Sequence, residues 1–351
     1  MKKNKHDARE AVTDRVVCNT KRQQEENKRG LETLGSRAII GSFYAALEAY
    51  QGAGWVGPLS MYFGNSDQET ETYKWLGMSP AMREWIGGRQ AKGLRANGID
   101  IKNKTWEGTL VLPIDWIRRD KTGQINVRIQ ELAGRAAELD SNLLSNLIIS
   151  GAGSTYGNCY DGQYFFDTDH SEGDSGTQAH NLDASDVPEL DITTAAAPTV
   201  AEMNAAILGV IQHMYGYKDD QGEPMNALAK SFLVMVPINM LGAGLGAVYG
   251  KIINAATGAY DNVLANAARE QGFNVSCVAN PRLSTTNEFY VFRTDAPAKP
   301  LLRQEEGPLS VSALAEGSDH AFKNNEYLYG VKRICNAGYG YWQYAAKATT
   351  S

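Results

Sequence analysis

The longest amphipathic pattern in the chain covers residues 122–151. Its apolar residues recur in steps of three and four, as they do on one stripe of an α-helix. The stripe consists of Ile125, Ile129, Leu132, Ala136, Leu139, Leu143 and Leu147. The Thr122 hydroxyl can cap the first turn, and Gly151 can end the helix in the left-handed conformation. We therefore predict a single helix of roughly 35 Å, since each residue adds about 1.5 Å.

Residues 59–111 mix aromatic and charged side chains in an order that is unusual for a protein core. The aromatic residues include Tyr62, Phe63, Tyr73, Trp75 and Trp85, and the charged ones include Glu69, Glu71, Lys74, Arg83, Glu84 and Arg89. Residues 99–112 then alternate apolar and polar side chains as strands do. We predict a long two-stranded hairpin. Because isolated hairpins are marginal in water, it packs either on a neighbouring subunit or on its own core.

The remaining patterns mix helices and strands without a regular βαβ alternation, which predicts an α+β fold. Thr199 and Glu202 form a capping box, so a helix is expected to follow. Further helices are predicted at residues 34–50, 239–249 and 261–270. Strands are predicted at residues 231–238, 274–279, 288–293, 300–303 and 326–335, a loop-rich region at 152–191, and a closing aromatic segment at 338–344.

Composition excludes several classes of protein. Hydrophobic residues make up 43% of the 351 and charged residues 21%, as in folded soluble proteins. The apolar runs are shorter than the roughly 18 residues of a membrane helix, so no membrane partner is expected. The four cysteines are far apart, which argues against a disulfide framework or a zinc site and favours a reducing compartment. The net charge of −6 argues against a nucleic-acid condenser.

The first 35 residues differ from the rest of the chain. Residues 1–30 hold nine Lys or Arg against five Asp or Glu, with few large apolar groups. Such a segment cannot form a core alone. It also lacks the apolar stretch of a secretory signal. Two interpretations stay open, a frayed tail or an arm that becomes ordered on a neighbouring subunit, and residues 13–34 are compatible with a polar helix.

One loop contains side chains that could support chemistry. Asp161, Asp167, Asp169 and His170 are candidate hard-cation ligands or an acid–base group. A partner motif with ligand spacing is missing, so we favour a structured loop in which Phe165 and Phe166 are anchors and the aspartates cap turns. The glycine-rich residues 151–153 and 242–246 match neither a dinucleotide fingerprint nor a P-loop. We therefore expect no catalytic, cofactor-binding or metal-ligating residue, and no enzyme.

Three motifs, in this order, resemble the Mu-like phage (prophage) major head subunit, or major capsid protein, family. The first is YKWLGMSPAMREWIGGR at residues 73–89, the second is CYDGQYFFDTDH at 159–170, and the third is RICNAGYGYWQ at 333–343. The resemblance extends over residues 31–345. Residues 1–30 depart from the family pattern because they carry more charge.

The resemblance implies the Hong Kong 97-like phage capsid fold. On this basis residues 1–55 are expected to form an N-terminal arm and residues 56–112 an extended β-hairpin loop. Residues 113–153 are expected to form a peripheral domain with a long spine helix, and residues 154–290 an axial domain. Residues 291–351 are expected to return strands to the peripheral domain and to form the C-terminus.

The resemblance also implies a function and partners. The chain is expected to be the major capsid protein of a tailed bacteriophage or prophage, forming pentamers and hexamers of an icosahedral shell around double-stranded DNA. The expected partners are other copies of the chain, portal, scaffold and decoration proteins, and DNA on the inner face without sequence specificity. The protein is expected in the virion, and in the bacterial host cytoplasm during assembly. A tail or tube protein and a metal-dependent hydrolase using residues 167–170 are the alternatives.

Subunit contacts are expected where the extended loop of one copy covers the spine helix of another. Aromatic side chains bury large areas with few rotatable bonds, and charged groups fix register. The predicted interface residues are Tyr73, Trp75, Arg83, Glu84, Trp85, Arg89, Arg128, Glu131 and Arg135. Glu138 and Asp140 belong to the same helix face and are expected under the neighbour's loop.

Overall fold

The computed structural model describes residues 36–50, 52–64, 66–75, 97–120, 123–255, 258–270 and 272–351. The predicted N-terminal helix at 13–34 lies outside these residues. The described helices are α1 (residues 36–49), α2 (Val56–Leu59), α3 (Ile114–Arg119), α4 (Gln124–Ala137), α5 (Leu139–Ile149), α6 (Val200–Tyr215), α7 (Leu241–Tyr249), α8 (Val263–Glu270) and α9 (Asp319–Asn324).

The strands confirm a mixed α+β fold. They are β1 (Ser60–Phe63), β2 (Thr70–Trp75), β3 (Asn97–Lys102), β4 (Lys104–Pro113), β5 (Asn181–Leu182), β6 (Ser231–Val236), β7 (Ile252–Ala255), β8 (Gly258–Asp261), β9 (Asn274–Ala279), β10 (Glu288–Arg293), β11 (Leu301–Leu314), β12 (Glu326–Tyr339) and β13 (Ala345–Thr349). The chain divides into two compact units, and β11 and β12 each run from one unit into the other.

The first unit contains α1, α3, α4, α9, most of β4, and residues 308–333. Its core is formed by Phe43 of α1, Ile129 and Ala133 of α4, and Val331 of β12. Gly108 of β4 lies close to α4, since a Cβ built there would be 3.5 Å from the Leu132 side chain. One stripe of α4 is therefore buried, as its apolar pattern predicts.

The second unit is built on a five-stranded sheet in the order β5-β13-β10-β6-β9. β6 is parallel to β9 and antiparallel to β10. The helix α6 begins at the predicted capping box of Thr199 and Glu202 and supplies Met203, Ile207 and Val210 to the core. Helix α7 approaches the sheet closely, because a Cβ at Gly244 would lie 2.9 Å from Sγ of Cys277.

The predicted single helix over residues 122–151 is two helices, α4 and α5, separated at Glu138. Glu138 has ψ −10°, away from the helical value near −42°, while its carbonyl still accepts from the Asn142 amide at 2.9 Å. The hydroxyl of Ser141 donates to the Glu138 carbonyl, and that of Ser145 donates to the Ser141 carbonyl. Serine bonds of this kind compete with the backbone ladder and bend helices.

The structure tests only one of the two predicted ends of this helix. Thr122 lies outside the described residues, so its cap stays a prediction; the amides of Gly123, Gln124 and Ile125 donate to the Asp120 carboxylate. Gly151 is not left-handed. It is required for another reason, because a Cβ there would lie 2.6 Å from the Phe166 ring.

Two strands near the C-terminus were underestimated or missed. The strand predicted at residues 300–303 continues to Leu314, across the polar and turn-like residues 304–308. β13 has no signal in the sequence, since it is rich in alanine, yet it pairs with both β10 and β5. The predicted strands at 274–279 and 288–293 and the helix at 261–270 are confirmed, the helix within two residues.

Candidate assembly surfaces

The described part of the predicted hairpin is the ribbon of β2 and β3, in which Tyr73 lies opposite Ile99. Ile99 and Ile101 on β3 are buried. Gly338 of β12 touches this ribbon closely, since a Cβ there would lie 2.4 Å from Cδ1 of Ile101. The base of the hairpin thus packs on its own unit, whereas residues 76–96, including Arg83, Glu84, Trp85 and Arg89, lie outside the described residues.

A buried hydrogen-bond network holds the ribbon against β11. The Tyr73 hydroxyl donates to Oε1 of Gln304 at 2.9 Å. Nε2 of Gln304 donates to the Ile101 carbonyl at 2.9 Å and to Oδ1 of Asn103 at 2.8 Å. Asn103 in turn donates to Oγ of Ser66 at 2.8 Å. Sequence reasoning selected Tyr73 but missed Gln304 and Asn103, because a polar residue in a strand carries no sign that it is buried.

An aromatic groove lies beside this network. It has a volume of about 280 Å³ and is lined by Tyr62, Phe63, Gly64, Ser66, Glu71 and Tyr73. The rings of Phe63 and Tyr73 are 5.0 Å apart, and Phe63 is 41% exposed. Partial burial, and secondarily the Glu71 carboxylate, raise the pKa of Tyr73 to about 12, so its hydroxyl stays protonated and able to donate. Trp75 ends β2, paired with Asn97.

Two charged residues fix the edge of the groove. Arg303 donates to Oδ2 of Asp140 at 2.6 Å and to Oγ of Ser60 at 2.8 Å, and its guanidinium lies over the Tyr62 ring. The Asp140 carboxylate thus holds Arg303 in place within its own unit. The expected position of Asp140 under a neighbour's loop stays a prediction.

The outer face of α4 carries the other predicted interface charges. Arg128, Glu131 and Arg135 are exposed, on the side away from the buried Ile129 and Ala133. Arg128 and Glu131 form an ion pair at 2.7 Å. Such an exposed pair contributes little to stability. A partner that binds this face and breaks the Arg128–Glu131 pair would therefore cost little free energy.

The loop at residues 159–170 forms a buried structural cluster. His170 is fully buried, its Nδ1 lies 2.6 Å from Oδ2 of Asp161, and its ring stacks on Trp342 at 4.3 Å. Asp167 accepts from the amides of Tyr164 and Thr168, so it caps a turn. Asp169, by contrast, is exposed.

This geometry matches the structured loop that the sequence favours. Phe165 and Phe166 are buried as predicted anchors, and Asp161 and Asp167 both accept from loop amides. Among the described residues, no group of three or more His, Cys, Asp or Glu side chains is placed to hold a metal. Burial, assisted by Asp161 and Asp167, raises the pKa of the Cys159 thiol, which keeps it un-ionised and a poor nucleophile.

Within the described ranges, helices that are both long and apolar enough to cross a bilayer are absent. The surfaces that remain as candidates are the aromatic groove and the charged face of α4. Neither resembles a catalytic site, and both are suited to contact another macromolecule.

Comparisons with known proteins give the same picture. The family model of the Mu-like prophage major head subunit gpT matches residues 58–191 and 261–351, more than half of the chain. The Mu-like prophage FluMu major head subunit of Haemophilus influenzae is 34% identical over 140 residues, 40% of this chain and 42% of the relative. The major capsid protein of Escherichia phage Mu is 24% identical over 282 residues, 80% of this chain and 62% of the relative. The alignments thus span less than two thirds of either relative.

A solved structure supports the fold. A chain of the bacteriophage JBD30 procapsid matches with a TM-score of 0.52 and 22% identity, covering 92% of this chain and 76% of that one. The mixed α+β fold is therefore one found in phage capsid proteins. The family describes a structural head subunit rather than an enzyme, and this chain belongs to it, as a Mu-like prophage major head subunit gpT protein.

Proposed function

We propose that this chain is the major capsid subunit of a tailed bacteriophage or prophage, and that it assembles into the pentamers and hexamers of an icosahedral shell around packaged double-stranded DNA. The observation that carries the proposal is the family match, whose two segments include residues of both compact units. The assembled shell is a virion component that forms in the bacterial host cytoplasm.

Two surfaces support a contact between copies. In the loop at residues 56–112, the ribbon of β2 and β3 is fixed at its base by Gln304, and the aromatic groove exposes Tyr62 and Phe63. The face of α4 offers Arg128, Glu131 and Arg135. In the proposed contact, the loop of one copy lies across this face of the next, with Trp75 and Trp85 as aromatic anchors and Arg83, Glu84 and Arg89 setting register.

The proposed domains follow the Hong Kong 97-like pattern. Residues 1–55 form the arm, 113–153 the peripheral domain with a spine made of α4 and α5, 154–290 the axial domain, and 291–351 the returning strands. The five-stranded sheet with α6 and α7 fits an axial domain, since four of its strands lie between residues 181 and 293. The fifth, β13, comes from the C-terminal segment.

The proposed shell is closed and contains DNA, so it requires partners besides other copies of this chain. Portal, scaffold and decoration proteins are expected to bind copies of this chain. DNA on the inner face is contacted without sequence specificity. The net charge of −6 limits adhesion of the subunit to the DNA phosphates. The basic residues 1–30 face DNA or scaffold in this proposal.

Electron microscopy of the overexpressed chain tests the function. Closed shells support it, whereas cylinders indicate a tail or tube protein, and a monomer at high concentration contradicts it. Trp85→Ala is expected to leave the chain soluble and to impair shell formation.

Arg135→Glu tests the role of α4 separately. Arg135 is exposed, so its reversal leaves the fold intact. The reversal turns the proposed attraction between Arg135 and Glu84 of the neighbour's loop into repulsion. Lys218→Glu is a matched control, because Lys218 is an exposed cation on a loop of the other unit. A drop in shell yield for Arg135→Glu alone supports the contact, and equal yields for both variants contradict it.

A further inference from the structure

Two short helices of the first unit lie together. β4 continues into α3, and β11 and β12 are joined through α9. The amide of Ile114 donates to the carbonyl of Asn325 at 3.0 Å, and the Asn325 side chain reaches Oδ2 of Asp115. These bonds place the start of α3 against the end of α9. We call this pair of helices the helical tip.

The helical tip exposes two large aromatic rings. Trp116 of α3 is 66% exposed and Phe322 of α9 is 90% exposed. Phe43, in the same unit, is buried to 2% exposure, so the unit has a core that the tip aromatics do not enter. Each such ring can remove on the order of 150–250 Å² from water at an interface. Two exposed aromatic side chains on adjacent helices are typical of a contact surface rather than of isolated surface residues.

The segments that form the two sides of the helical tip carry opposite net charge, +1 for residues 114–119 (Arg118 and Arg119 against Asp115) and −2 for residues 316–326 (three carboxylates against one lysine). α3 ends in Arg118 and Arg119, both exposed and without an ion-pair partner in the described part of the chain. The segment around α9 contains Glu316, Asp319 and Glu326 against one cation, Lys323. Lys323 is paired with Asp319 at 2.6 Å, and Oε1 of Glu326 lies 3.0 Å from Nε2 of His320. Glu316, which lies three residues before α9 at the edge of the helical tip, is thus the carboxylate available to a partner's arginine.

The geometry points to a head-to-tail contact between copies of this chain, in which Trp116, Arg118 and Arg119 of one helical tip meet Phe322 and Glu316 of the next. Each tip carries both halves of the contact, so repetition closes a ring when the rotation between copies allows it. This inference rests on the proposed capsid function. It adds a contact that uses neither the loop at residues 56–112 nor the face of α4.

Loss of the aromatic ring is the first test. Phe322→Asp is expected to lower the yield of shells by at least roughly tenfold, as when an interface hot spot is lost, with unchanged thermal unfolding of the free chain. Leu228→Asp is the matched control, because Leu228 is 84% exposed but belongs to the other unit. Wild-type yield for Phe322→Asp overturns the tip contact and leaves the capsid function intact. Failure of the wild-type chain to form shells overturns both.

Charge exchange tests the direction of the contact. Arg119→Glu and Glu316→Lys are each expected to lower shell yield, and the chain carrying both is expected to recover it, since the exchanged pair forms again between copies. Equal defects in the single and double variants overturn the pairing.

A disulfide cross-link tests whether a second copy of this chain binds the helical tip. A chain with Arg119→Cys and Glu316→Cys is expected to form disulfide-linked multimers in oxidised shells, at a level well above the wild-type chain with its own cysteines. Multimers no more abundant than in the wild type, as when residues 1–35 cover the tip, overturn the contact between copies.

Discussion

The Tyr73 hydroxyl donates a hydrogen bond of 2.9 Å to Oε1 of Gln304, a residue 231 positions further along the chain. Gln304 is 1% exposed, and its amide also donates to Ile101 and Asn103. One buried side chain therefore joins both strands of the ribbon to β11. The proposed contact with a neighbouring subunit needs such a fixed base, because the far end of a loop is positioned accurately only when its base is held in place.

Gln304→Leu is expected to destabilise the second unit by on the order of 3 kcal/mol, because it leaves the Ile101 carbonyl and the Asn103 and Tyr73 side chains without their partner. Tyr73→Phe removes one hydrogen bond and is expected to reduce stability by about 0.5–1.5 kcal/mol. Urea unfolding of the unassembled chain measures both, and hydrogen exchange at residues 97–103 shows whether the ribbon loosens. Equal effects of the two substitutions would contradict the central role of Gln304.

Asp120→Ala is expected to destabilise α4 by about 0.5–2 kcal/mol, since three amides lose the carboxylate that accepts their hydrogen bonds. Asp120→Asn is the control, because asparagine caps helices about as well as aspartate. Hydrogen exchange at Gly123, Gln124 and Ile125 is the measurement. The Ile125 amide loses its acceptor, Oδ2, in both variants, so Gly123 and Gln124 are the informative positions. Faster exchange of these two amides in both variants would show that charge, rather than the cap itself, stabilises this end.

Gly151→Ala is expected to destabilise the second unit by about 1–3 kcal/mol, because the new methyl group would lie 2.6 Å from the buried Phe166 ring. Gly153→Ala is a control two residues away, where the nearest atom to a Cβ is the Ser150 carbonyl oxygen at 3.9 Å. That variant is expected to change stability by less than about 0.5 kcal/mol. Thermal unfolding of both variants distinguishes close packing from a general intolerance of side chains in this turn.

His180 is expected to make the second unit sensitive to acid. Burial, and then the neighbouring His170 and His213, lower the pKa of His180, while the Ala345 carbonyl acts in the opposite direction. The His180 ring also packs on Tyr217 and Trp342, and His170 beside it pairs with Asp161. Because the unfolded chain binds this proton near pH 6.5, the neutral ring favours the folded state above that pH.

The stability that His180 contributes is therefore present above about pH 6.5 and is lost as the pH falls, by up to about 1.4 kcal/mol per pH unit for one proton. His180→Gln is expected to flatten the dependence of the unfolding free energy on pH between about 6.5 and 5. Measurements near pH 8 provide the reference, because the His180 imidazole is neutral there in both the folded and the unfolded chain. A slope identical to that of the wild-type chain would assign the acid sensitivity to other groups.

Local sequence signals determined many of the elements. The capping box of Thr199 and Glu202 starts α6 as predicted, and β9 and β10 have the bounds that their apolar runs indicate. The motif at residues 159–170 also revealed its two aromatic anchors, Phe165 and Phe166. These features depend on residues a few positions apart, so the sequence contains them directly.

The tertiary structure decided the rest. Ala345–Thr349 contains three alanines and a single β-branched residue, Thr349. It becomes a strand because Ala346 and Ala348 pack in the core with residues of α6 while its backbone pairs with β5 and β10. The partner of Asp140 is Arg303, 163 residues away, and the partner of Tyr73 is Gln304. A polar side chain is placed by whichever group remains unsatisfied beside it after folding, and spacing along the chain does not record that group.

The helix of residues 122–151 combines both kinds of information. Its apolar spacing was enough to predict helical structure and the buried stripe of α4. The interruption at Glu138 and the close contact of Gly151 with Phe166 were not predictable from that spacing. Periodicity reports which face of a helix is buried, whereas the atoms packed against that face determine where the helix breaks and which residue can end it.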